Sequence, residues 1–213
     1  ERFHHAVMIG IAPDDSGALK LLEDQFHALR AILKHPAIKD VDHHYDQVVS
    51  FGELWSSMIV QAHLNAAGIA SSWWDARTVV RTDARHRSAR VDWDASAQGA
   101  AQLMANVSKG PLRVVTQGFI GGTSDGSTTT LGREGSDFSA AIFAYLLDAE
   151  SVTIWKDVAG MFNADPKRFE ETVLLEHISY REAIELSYFG ASVIHPRTLQ
   201  PLQRKNIPLY VRS

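Results

Sequence analysis

Leu19, Leu22, Phe26, Leu29 and Leu33 recur at spacings of three and four, the apolar stripe of one helix. Asp14, Asp15 and Ser16 offer caps before it, and Pro36 limits it. His43-His44-Tyr45 begins a polar connection. A second helix is predicted from about Glu53 to Ala67, with Leu54, Met58 and Ala62 on one face and Gly68 as its stop. Residues 69–93 read as short strands and turns that carry Trp73, Trp74 and Trp93. The alanine-rich run from Ala95 to Asn106 predicts a helix, and Leu112 to Thr116 a buried strand. A long glycine-rich loop follows. Phe138, Ile142 and Leu146 are in helical register, and Val152 to Trp155 is a strand. Ser179 and Glu182 form a capping-box pattern for a helix that Gly190 closes. A last helix over about Thr198–Lys205 leads into a final strand. Strands alternating with helices predict an α/β fold with a largely parallel sheet. No internal repeat or low-complexity linker divides the chain, so residues 1–213 read as one domain.

Composition narrows the function. Hydrophobic residues make up 45% and charged residues 22%, proportions that exclude global disorder. The net charge is −4, from 21 basic and 25 acidic residues, which predicts no nucleic-acid partner and no membrane partner. No apolar run approaches the ~20 residues of a spanning helix. Cysteine is absent, which removes disulfides, thiolate metal sites and cysteine nucleophiles, and a cytoplasmic location is expected. Glu1 and the closing run Ile207–Val211 make both ends read as cut. The pairs His4-His5 and His43-His44 lack the i,i+4 spacing of two ligands on one helix face, so no metal site is predicted. His195, before Pro196, reads as a hydrogen-bonded structural histidine.

Candidate chemistry concentrates in residues 118–135, where six of the 14 glycines fall in 18 residues together with six Ser and Thr hydroxyls. The segment runs from a strand into a helix that starts near Ser136-Asp137. Backbone N–H groups at such a helix start attract anions, and ligands of open α/β sheets bind beyond the carboxyl ends of strands. Arg133 adds a guanidinium suited to gripping a carboxylate or phosphate with two bonds. Walker-A and G-x-G-x-x-G patterns are absent. Gly122-Thr123-Ser124-Asp125-Gly126 matches the G-x-S-x-G elbow of serine hydrolases, but an elbow needs its helix directly after the serine. The second concentration is residues 155–168, with Asp157 in a turn-rich loop, an aromatic face at Phe162, and cations at Lys156, Lys167 and Arg168.

These segments resemble the aspartate kinases. Thr128-Thr129-Thr130-Leu131-Gly132-Arg133-Glu134-Gly135-Ser136-Asp137 is similar to their T-T-L-G-R-G-G-S-D motif. Lys156-Asp157-Val158-Ala159-Gly160, followed by Asp165-Pro166, resembles their nucleotide loop. Phe51-Gly52-Glu53 with Ser56 resembles F-G-E-x-x-S, and residues 189–196 resemble F-G-A-x-V-x-H-P. The four motifs occur in family order from about residue 16 onward, while residues 1–15 are not placed.

The resemblance implies the amino-acid-kinase fold, a three-layer α/β/α sandwich around a mainly parallel sheet. It implies transfer of the ATP γ-phosphoryl group, with Mg2+, to the side-chain carboxylate of L-aspartate, the step that opens lysine, threonine and methionine synthesis. Arg133 would hold the substrate α-carboxylate, and Glu53, helped by Asp137, its ammonium, with Ser136 beside them. Lys156, Asp157 and Phe162 would contact the nucleotide and Lys167 its phosphates. A homodimer is expected. The family's K-F-G-G-T-S opening, with its catalytic lysine and first strand, does not occur in residues 1–213. Ser192 stands where many relatives carry a lysine, and no C-terminal ACT domain is present. Residues 1–213 are therefore expected to be inactive alone. A kinase of another amino acid, or a ligand-sensing module without catalysis, is the alternative; a serine hydrolase is a distant one.

Overall fold

The computed structural model describes residues 1–34, 40–105, 113–164, 168–188 and 193–213. The chain divides into two compact units, Glu1–Arg133 and Glu134–Ser213.

The first unit opens with three helices, α1 (Arg2–Ile11), α2 (Ser16–Lys34) and α3 (Val41–Ala66). Met8, Ala12, Leu22, Phe26 and Ala62 form their shared core. The stripe predicted for α2 is present, with Leu22 and Phe26 buried. Helix α3 corrects the predicted start at Glu53. It begins twelve residues earlier, capped by Asp40, whose carboxylate accepts from the His43 N–H at 2.9 Å. The early turns of α3 bury Asp46 and Ser50. A buried face made of polar side chains carries no apolar period, which is why the pattern missed it.

Strand β1 (Ser72–Trp74) pairs in parallel with β2 (Val114–Thr116), with Trp73 opposite Val115. Between them lie the one-turn helix α4 (Ala76–Val79) and helix α5 (Trp93–Ala105). The glycine-rich segment is not a loop throughout. It contains an antiparallel hairpin of β3 (Ile120–Gly122) and β4 (Thr128–Thr130), in the register Ile120 to Thr130. Glycine is required at Gly122, where a Cβ would stand 2.5 Å from the Arg77 carbonyl oxygen. All three threonines of β4 are buried. Their hydroxyls are satisfied internally: Thr129 Oγ1 lies 2.6 Å from Thr82 Oγ1, and Thr128 Oγ1 accepts from Arg77 at 3.2 Å.

In the second unit, helix α6 (Gly135–Leu146) packs on α8 (Pro196–Lys205), and β5 (Val152–Trp155) pairs in parallel with β6 (Leu209–Arg212). Ala141, Ile154, Leu199 and Leu202 belong to the core. Helix α7 (Tyr180–Tyr188) starts with the predicted capping box. Ser179 N–H and Oγ donate to Glu182 Oε2 at 3.0 and 2.6 Å, and the Glu182 N–H donates to Ser179 Oγ at 3.3 Å. Its predicted stop at Gly190 lies outside the described residues. His195 is the N-cap of α8: its Nδ1 accepts from the Arg197 N–H at 3.1 Å, the structural role expected of it. Tyr180 donates to the Ile207 carbonyl, and burial pushes its hydroxyl pKa up to about 12. Parallel pairs joined through helices are the α/β organisation read from the sequence.

Candidate active site

In the first unit, Arg133 follows β4 by three residues. Its side chain is exposed and makes no hydrogen bond or ion pair among the described residues. Gly132, just before it, takes φ +79, and a Cβ there would stand 2.9 Å from the Arg87 carbonyl oxygen. Glycine is needed at that bend on both counts. Glu53 lies on α3, half-buried, without a polar partner among the described residues. Burial without a compensating partner pushes its carboxyl above the usual carboxylate range. A cation-seeking carboxylate and an anion-seeking guanidinium are thus both left available in this unit.

The second unit holds the other candidates. Helix α6 starts after Glu134, which occupies the left-handed region at φ 54 and makes no side-chain cap. The buried Glu134 Oε2 has no hydrogen-bond partner among the described residues. Ser136, exposed, and Asp137 sit in the first turn, where the helix leaves N–H groups unpaired. Lys156 follows β5, and its Nζ lies 2.6 Å from Asp137 Oδ2, both side chains mostly buried. A cation assigned to the nucleotide and a carboxylate assigned to the substrate are therefore brought together, which spacing in sequence did not indicate. Asp157 is exposed, and Phe162 is half-buried, held by a backbone bridge to Leu174. Lys167 and Ser192 lie outside the described residues. Arg197, near Ser192 in sequence, lies over the Phe138 ring, 4.6 Å from its centroid.

Ser124 sits in the turn between β3 and β4, with no helix directly after it, so the nucleophile-elbow geometry is absent. A cavity of about 380 Å³ opens elsewhere in the second unit, lined by Leu175, His177, Ile178, Glu182, Glu185 and Leu186, and includes none of the predicted residues.

Sequence reasoning missed the residues that hold the Arg133 segment in place. Asp46, Gln47, Arg77 and Arg81 all bond to the hairpin or its flanks. The available signal was position: Asp46 precedes Glu53 by seven residues, two helical turns on the same face.

Residues 10–213 match the amino acid kinase family, and the chain belongs to that family. It is 43% identical over 169 residues to lysine-sensitive aspartokinase 3 of Escherichia coli, an alignment covering 79% of this chain and 37% of that protein. It is 37% identical over 215 residues to the chloroplastic bifunctional aspartokinase/homoserine dehydrogenase 1 of Arabidopsis thaliana, covering 99% of this chain and 23% of that one. The crystal structure of E. coli aspartokinase III with aspartate and ADP superposes with a TM-score of 0.81 at 38% identity, over 91% of this chain and 43% of that one. Clostridium acetobutylicum aspartate kinase superposes at 0.71 and 25% identity, over 90% and 40% of the two chains. The fold is thus that of the amino acid kinases. The chain spans well under half the length of these relatives. Among the described residues, no helix is long and apolar enough to cross a membrane.

Proposed function

We propose that residues 1–213 form a single amino-acid-kinase domain and carry the aspartate-recognising part of an aspartate kinase, which moves the γ-phosphoryl group of ATP onto the side-chain carboxylate of L-aspartate. The observation that carries this reading is the availability of Glu53 and Arg133, one half-buried carboxylate and one exposed guanidinium, neither with a side-chain partner among the described residues. That pair of charges is the minimum for recognising a zwitterion: Arg133 takes the α-carboxylate and Glu53 the ammonium. Similarity to a structure that holds aspartate and ADP supports it.

The acceptor carboxylate, with a pKa near 3.9, is already ionised at neutral pH, so no general base is required. The task left to the protein is alignment and neutralisation of charge. Asp137 and Ser136 supply polar groups at the α6 start, and Lys156 brings a positive charge beside them. Asp157, Phe162 and Lys167 are assigned to the nucleotide. Magnesium ordinarily rides on substrate phosphates with one or two carboxylates, a demand that exposed Asp157 can meet. No group of three His, Asp or Glu side chains among the described residues forms a metal cage of its own.

Calorimetric titration with L-aspartate, L-glutamate and L-lysine is the test. Saturable binding of aspartate, lost in Arg133→Ala, is expected; preference for another amino acid, or no binding, would overturn the assignment. With Mg-ATP, aspartate and hydroxylamine, residues 1–213 alone are expected to give little hydroxamate, because they contain no K-F-G-G-T-S segment.

A further inference from the structure

We infer that Asp46 is a positioning residue: its buried carboxylate clamps the segment that ends in Arg133 onto the helix that carries Glu53, and so sets the aspartate site. The inference rests on the substrate reading above. Asp46 is fully buried. Its Oδ1 accepts from Thr130 Oγ1 at 2.7 Å. Its Oδ2 accepts from the Thr130 N–H and the Arg87 N–H, both at 2.9 Å, and lies 3.1 Å from His86 Nδ1. One carboxylate thus gathers the end of β4 and the 86–87 turn.

The two gathered segments are the ones that shape the Arg133 bend. The Ala89 N–H donates to the Thr130 carbonyl at 3.0 Å, so the turn continues along the outer side of β4. The Arg87 carbonyl is the atom that excludes a side chain at Gly132. Arg87 itself is fixed at its other end, with its guanidinium 3.2 Å from Asp42 and 4.7 Å from the Tyr45 ring centroid, both on α3. Leu131, between Thr130 and Gly132, is fully buried and donates to the Phe119 carbonyl at 2.8 Å. The path from Thr130 to Arg133 therefore has three consecutive fixed points and one exposed tip.

Helix α3 converts that anchorage into a spacing. Seven residues separate Asp46 from Glu53, about 10 Å along the axis and about 20° around it. The acceptor of the clamp and the proposed ammonium partner share one face of one rigid helix. Gln47 adds a second tie, accepting from the Thr128 N–H at 3.1 Å and donating to the Thr128 carbonyl at 2.7 Å. Substrate placement is sensitive to displacements of about an ångström, which can cost on the order of a hundredfold.

The replacement Asp46→Asn keeps size but removes the charge and turns one of the two acceptor oxygens into an N–H2, which weakens the bonds that the buried carboxylate accepts from Thr130 and Arg87. Thr130→Val removes a single bond at constant shape. Hydrogen exchange of the peptides covering 86–89 and 128–133 is expected to accelerate in both variants, more in Asp46→Asn, while α1 and α2 keep their protection. The Kd for L-aspartate is expected to rise about tenfold or more in Asp46→Asn and less in Thr130→Val. Unchanged exchange at 128–133 in folded Thr130→Val, or unchanged aspartate affinity in folded Asp46→Asn, would overturn the positioning role. A wild-type chain that binds no aspartate would instead defeat the substrate reading, and the exchange data would still decide whether Asp46 holds the bend.

Discussion

Lys156 Nζ and Asp137 Oδ2 lie 2.6 Å apart, joining the turn after β5 to the first turn of α6. Both side chains are shielded from bulk water, so neither charge is cheap to leave alone. Lys156→Met is expected to destabilise the protein by roughly 1–3 kcal/mol. The double variant with Asp137→Asn should recover part of that loss, because the orphaned charge is then also gone. Chemical denaturation of the four species measures it, and strict additivity would show that the pair is not coupled.

The exposed Arg133 side chain makes no hydrogen bond or ion pair among the described residues. Arg133→Ala should leave the melting temperature within the range of an ordinary surface change, while aspartate binding weakens by roughly 2–5 kcal/mol. Arg133→Lys should rescue only a fraction, since a point charge does not reproduce a two-bond grip. Equal loss of stability and affinity would place Arg133 in the scaffold.

Glu53 predicts opposite trends for stability and affinity. Its folded-state pKa is raised by burial, so the folded protein holds a proton more readily than the unfolded chain does. Between the unfolded and folded values, stability falls as pH rises. Glu53→Gln is therefore expected to be more stable than wild type at pH 7, with the difference disappearing below about pH 4. Aspartate affinity should move the other way, declining as Glu53 takes up its proton above the ordinary carboxylate range. Thermal melts and aspartate titrations across pH 4–8 check both signs.

Glu134 holds the left-handed conformation at φ 54, where the aspartate kinase motif carries glycine. A side chain there costs about 1–2 kcal/mol, partly offset by the extra freedom glycine has when unfolded. Glu134→Gly is expected to stabilise the protein by about 0.5–1 kcal/mol. A lower melting temperature would mean that the Glu134 side chain contributes more than the strain removes.

The parts of the fold legible in the sequence were those with an apolar period or a capping signature. The α2 stripe, the Ser179–Glu182 box and the His195 cap are each local, and each was readable from a few residues. The start of α3 was not, because Asp46 is buried for its bonds to residues 40 and 84 positions away. The β3–β4 hairpin was hidden for a related reason. Threonines that bury satisfied hydroxyls look the same in sequence as those of an open loop. At the candidate site, motif resemblance supplied Arg133, Glu53 and Asp137. The Asp137–Lys156 pair needed coordinates, since its members are 19 positions apart in sequence with a strand between them.

Strand β4 has two sides, and only one of them faces β3. On the other, Thr128 spends its backbone N–H and carbonyl on Gln47, while Thr130 spends its own on Asp46 and Ala89. Helix side chains and a turn thus do the work of a third strand without being one. The edge offers no free ladder to another molecule, which is how a three-residue strand of threonines avoids recruiting copies of itself. Loss of Gln47 would free the Thr128 N–H and carbonyl on that edge, and self-association during refolding is the expected result.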